Sequence, residues 1–108
     1  MAYDLALSAR LHSALKNQLV TEKKMFGGVA FLLNGNMLAG VHGDNLIARV
    51  GPGNYESCLS RPHTKPFDMT GRPMPGWVEV LPSSLVEGRV LNDWISLCLE
   101  YNNVLPPK

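Results

Sequence analysis

Four groups that carry or can take positive charge, Arg61, His63, Lys65 and Arg72, fall in the run "RPHTKPFDMTGR", offset there only by Asp68. Arg and Lys make charge-assisted hydrogen bonds to phosphate or carboxylate. Together with Arg49 or Lys24 they could hold a nucleic-acid backbone, with Tyr55 or Phe67 stacking on bases. An ordinary solvated loop is the plain alternative, and no helix-turn-helix, zinc-finger or ribonucleoprotein signature accompanies the run. Cys58 and His63 could form a thiolate–imidazole nucleophile, which needs a third group to hold the imidazole; a small partly buried cysteine is the alternative. His12, His42 and His63 are scattered and make no close pair with a cysteine that would suit zinc. The candidate binding residues are therefore Arg49, Arg61, His63, Lys65 and Arg72, with no catalytic set, no metal and no cofactor expected.

Two glycine-containing stretches invite a phosphate-loop reading. In "FDMTGRPMPGW", residues 67–77, Pro73 and Pro75 have no N–H to offer an anion, and a strand rather than a helix follows. The stretch reads as a stiff strand connection, with Arg72 and Met74 able to form a small contact surface. The glycines of "FGG", residues 26–28, enter a strand from a helix, the reverse of the dinucleotide-binding order. Close packing of backbone against the first helix accounts for them.

Elements must position these residues. Asp4 is a plausible N-cap, and Leu7, Leu11, Leu15 and Leu19 recur every four residues, predicting an amphipathic helix over 4–19. "LLNGNML" places Asn34-Gly35 between apolar runs, the strongest short signal for a tight hairpin. With "NLIARV" after His42-Gly43-Asp44, a meander of strands 28–33, 36–41 and 45–50 follows. Leu46, Ala48 and Val50 alternate with Ile47 and Arg49, so the facing of Arg49 depends on register. Pro52, Pro62 and Pro66 bracket a short helix near 54–60. Strands 67–70 and 77–81 come next. Val90, Leu91, Trp94, Leu97, Cys98 and Tyr101 then form one helical stripe, with Ser84 and Glu87 at capping-box spacing and a start as late as 89 because of Gly88. Trp77 and Trp94 read as core. The order predicts a two-layer α+β domain, an antiparallel sheet of about five strands covered on one face by the N- and C-terminal helices.

Composition narrows the function classes. The chain has 108 residues, 45% of them hydrophobic, enough for one core, and a formal charge of +1. That charge supplies no global field toward nucleic acid or an anionic membrane. No signal peptide or long apolar run is present, so a cytoplasmic protein without membrane contact is expected. The two cysteines are expected to stay reduced there.

"EKKMFGGVAFLLNGNMLAGV", "LIARVGPGNYESCLSRPH", "FDMTGRPMPGWVEV" and the closing "LPPK" together resemble the N-terminal domain of the TfoX/Sxy competence-regulator family, over essentially the whole chain. Met25-Phe26-Gly27-Gly28 and the Asn34-Gly35 turn are the most specific elements, supported by Arg49, Gly51, Gly71 and Arg72. The resemblance implies a helix-on-sheet fold akin to secretion-chaperone-like domains. It also implies a short stand-alone member, one domain over 1–108 without the C-terminal domain of the full-length regulators. The function expected is a non-enzymatic binding or regulatory module acting through a protein partner. Alternatives are a small enzyme with a Cys/His/Arg site and a weak nucleic-acid binder. A homodimer through an edge strand, 45–50 or 67–70, is a further expectation.

Overall fold

The computed structural model describes residues 4–25, 28–68 and 73–106. Helix α1 spans Leu5–Ala14, and the Asp4 carboxylate accepts from the N–H groups of Ala6 at 2.9 Å and Leu7 at 3.2 Å, the N-cap the sequence predicts. The helix is shorter than 4–19. Leu19, placed by periodicity on the apolar stripe, is 94% exposed, and the β-branched Val20 and Thr21 instead open strand β1, Val20–Met25. Its residues Thr21 to Lys24 are all exposed, so no apolar alternation announces the strand. The His12 imidazole, 2.7 Å from the Glu22 carboxylate, ties it to α1.

The remaining elements are β2 (Gly28–Leu33), β3 (Asn36–His42), β4 (Asn45–Arg49), α2 (Tyr55–Leu59), β5 (Thr64–Asp68), β6 (Pro73–Val80) and α3 (Gly88–Val104). Short 3-10 turns precede α2, at Pro52–Asn54, and α3, at Pro82–Ser84. Asn34 and Gly35 take φ of 57° and 82°. Positive values at both residues are what a tight two-residue hairpin turn requires. Ser84 donates to the Leu81 carbonyl at 3.2 Å within its 3-10 turn, and Glu87 at the start of α3 makes no side-chain cap, so the capping-box spacing goes unused.

The sheet has six antiparallel strands in the order β1-β2-β3-β4-β6-β5, one more than predicted. β4 lies between β3 and β6, so segment 45–50 has no free edge and cannot pair across a two-fold axis. β5 is an edge but begins at Thr64, earlier than predicted, and carries Pro66 and a bulge. Both features blunt an edge. Met69, Thr70, Gly71 and Arg72 lie outside the described residues. Pro73 and Pro75, read as loop residues, belong to β6. β4 pairs with β6 only from Trp77 onward, so it asks no donor of either proline, and on the other side the β5 ladder is interrupted by a bulge before Asp68 meets Pro73.

Cross-strand register separates the two faces. Phe31 with Ala39, Val41 with Leu46 and Ala48 with Val78 meet on the face covered by Leu7 and Leu11 of α1, Cys58 of α2, and Leu91, Trp94 and Cys98 of α3. On the other face, Ala30 and Ile47 are buried beneath Phe67, the residue extruded by the β5 bulge. Phe67 is 2% exposed and therefore has no free ring for stacking on a base. Of the stretch expected to pack its backbone against the first helix, Phe26 and Gly27 lie outside the described residues, and Gly28 approaches a strand instead. A Cβ on Gly28 would overlap the carbonyl oxygen of Val41 on β3.

Candidate functional site

The turn between α2 and β5 is built to hold two side chains. Ser60 closes α2 with its N–H on the Glu56 carbonyl at 3.2 Å, and the Thr64 hydroxyl donates to the Arg61 carbonyl at 2.6 Å. Between them His63 takes φ of 60°, a conformation unfavourable for a residue with a side chain. Its carbonyl accepts the Leu81 N–H at 2.8 Å, and its Nδ1 sits 3.1 Å from the Ser83 hydroxyl. Two connections are thus latched together.

Facing this turn is the first half of α3. The space between them is a cleft of about 500 Å³, within the usual range of small-ligand sites. Arg61 and His63 stand on the turn side, Glu87 and Asp93 on the α3 side, with Pro62, Val86, Val90 and Trp94 supplying apolar surface. The Arg61 guanidinium lies over the Trp94 ring, 4.8 Å from its centroid, and the ring is only 2% exposed. Stacking of this kind restrains a long side chain while leaving its N–H edge available.

The predicted binding residues separate in space. Arg61 and His63 share the cleft. Lys65 is paired across strands with Glu79 and stands beside Pro66 and Asp68 in a different depression. Arg72 lies outside the described residues. Arg49 is half-buried, opposite Trp77 in register, with its guanidinium 4.9 Å from the Trp77 centroid and 5.6 Å from that of Tyr101. It fastens the end of α3 to the sheet. Arg49→Ala should lower unfolding free energy by about 1–2 kcal/mol, and Arg49→Lys should recover only part because an ammonium has no planar face. Urea denaturation checks both values.

Cys58 is buried rather than presented at the cleft surface. It is 1% exposed, and burial pushes its thiol pKa up against the opposing pull of Arg61 and of a hydrogen bond from Ser57. Cys98 is pushed up to about 12 by burial, against a backbone hydrogen bond from Arg49. Trp77, read as core, is only half-buried, whereas Trp94 is core on one side and cleft on the other. Sequence reasoning missed Ser83, Glu87 and Asp93 as partners of the turn. No local pattern announces them, since helical spacing says nothing of what faces a residue across the fold.

Residues 13–101 match the TfoX N-terminal domain. The chain belongs to the TfoX N-terminal domain family. The match begins within α1 and ends within α3, so it takes in the whole sheet and the cleft of this domain. Among curated proteins and solved structures none matches the chain. Membership makes the domain a module of the competence-regulator type. No helix among the described residues is long and apolar enough to cross a membrane.

Proposed function

We propose that this TfoX N-terminal domain is a non-enzymatic binding and regulatory module that acts through a protein partner. The observation that carries this reading is the cleft between the α2–β5 turn and α3, where Arg61 is held on Trp94 and His63 on Ser83, and no other charged group among the described residues is ion-paired to either. Such restrained side chains lose little entropy when something binds. The buried, protonated state of Cys58 favours this reading over an enzyme with a thiolate nucleophile. A nucleic-acid reading has less support, because Glu87 and Asp93 share the cleft with Arg61 and would repel a phosphate backbone.

The test is affinity capture from extract of the native cells, with and without nuclease, comparing the wild-type domain with Arg61→Glu. A protein retained after nuclease treatment, absent with Arg61→Glu, and able to bind again when purified is the expected result. Retention that disappears with nuclease would assign the domain to nucleic acid instead. A purified partner that binds Arg61→Glu as well as wild type would remove the cleft from this role.

A further inference from the structure

The charges of the cleft are sorted by wall. Both basic side chains, Arg61 and His63, come from the α2–β5 turn, and both carboxylates, Glu87 and Asp93, come from the α3 side. The ion pairs of the described residues are His12–Glu22, His42–Glu79 and Arg89–Glu87, so Arg61 and Asp93 face one cleft without being bonded to each other. Glu87 is engaged only loosely, 3.8 Å from an exposed Arg89. The α3 wall also carries apolar surface, Val86, which is 81% exposed, and the half-buried Val90.

A purely anionic ligand would meet the Asp93 and Glu87 carboxylates, and a purely cationic one would meet Arg61. A molecule carrying both charges at opposite ends of a short polar head satisfies each wall, while an aliphatic body covers the valines. We propose that the cleft binds a small zwitterion with an aliphatic body, of the size and chemistry of an aliphatic α-amino acid. Its carboxylate is received by Arg61 and the His63 side, its ammonium by Asp93, and its side chain by Val86 and Val90. The ligand uses the same cleft as the partner reading but does not depend on it, since a ligand can bind whether or not a protein partner exists.

The test uses L-leucine as the probe and two halves of it, 4-methylpentanoate, which lacks the amine, and 3-methylbutylamine, which lacks the carboxylate. Binding is followed by NMR through the Trp94 indole N–H and the Arg61 Nε–H, assigned with the Trp77→Phe variant. Leucine should give saturable shifts, and each half should bind at least about tenfold more weakly, as expected when a hydrogen bond to a charged group is lost. Asp93→Asn should weaken leucine and 3-methylbutylamine but not 4-methylpentanoate, which loses a repelling carboxylate. Arg61→Gln should weaken leucine and 4-methylpentanoate but not 3-methylbutylamine. Because both side chains are exposed, the fold of each variant is checked by its amide spectrum, and Arg61→Lys serves as a second variant that retains the charge. The proposal is overturned if leucine causes no saturable shift up to its solubility limit. It is also overturned if either half binds as well as leucine, or if the response survives both substitutions. Capture of a protein partner reads out separately, so failure here leaves that reading to its own experiment.

Discussion

Gly28→Ala is expected to destabilise the domain by at least about 3 kcal/mol, a large part of the stability of a domain this size. The added methyl would overlap the Val41 carbonyl oxygen, and that atom belongs to the backbone of a neighbouring strand, so no side-chain rotation relieves the contact. Val29 pairs with Val41 directly beside the site, and both side chains belong to the main core. Pushing β2 from β3 therefore loosens packing as well as the ladder. Gly88→Ala is the control, because a Cβ there meets nothing within 4 Å at the first residue of α3. It should be neutral or slightly stabilising. Urea unfolding midpoints for the two variants decide the matter, and equal midpoints would show that β2 and β3 are not held this closely.

The thiols carry the second large effect. At pH 8 a thiol whose pKa has moved from 9.0 to about 12 exposes roughly a thousandfold less thiolate, so iodoacetamide should modify Cys98 only when the domain is unfolded. Cys58 is shifted in the same direction by its burial and should also react more slowly than a model-peptide thiol. Peptide mapping of alkylation with and without urea gives both rates. Fast native alkylation of Cys58 would revive the enzyme reading. The same shift predicts a pH effect on folding. Cys98 holds its proton longer in the folded than in the unfolded state, so its contribution is fully present below pH 9.0 and is lost as pH rises toward about 12. The loss is about 1.4 kcal/mol per pH unit in that window, and Cys98→Ala should remove it from the difference between wild type and variant.

The elements read most clearly from sequence were those whose signals are local. The Asn34-Gly35 turn, the Asp4 cap and the Trp94 stripe each depend on residues a few positions apart, and each lies where its pattern placed it. β1 was missed for a physical reason. An edge strand of exposed Thr, Glu and Lys buries too little to show alternation, and the leucine spacing before it continued the helix on paper past its end at Ala14. The prolines of β6 misled in the other direction, since their missing donors matter only where a neighbouring strand needs them.

The candidate site shows the same division. Its basic residues were visible as a charge run, but closeness in sequence did not make them a patch. Alternation along β5 sends Lys65 to the face of Glu79, while the turn before it aims Arg61 at Trp94 and His63 at Ser83.

The sequence by itself determined that this is an α+β domain with a hairpin-built antiparallel sheet and helices on one face, because those features follow from hydrophobic period, turn chemistry and capping, all short-range. Only the tertiary structure decided that β4 is interior, that Phe67 is a cover rather than a stacking platform, and that Arg61 and His63 oppose Glu87 and Asp93 across one cleft. Those outcomes depend on which distant segments pack together, and about 20 to 30 residues of intervening chain separate the two walls of the cleft, beyond the reach of any local pattern.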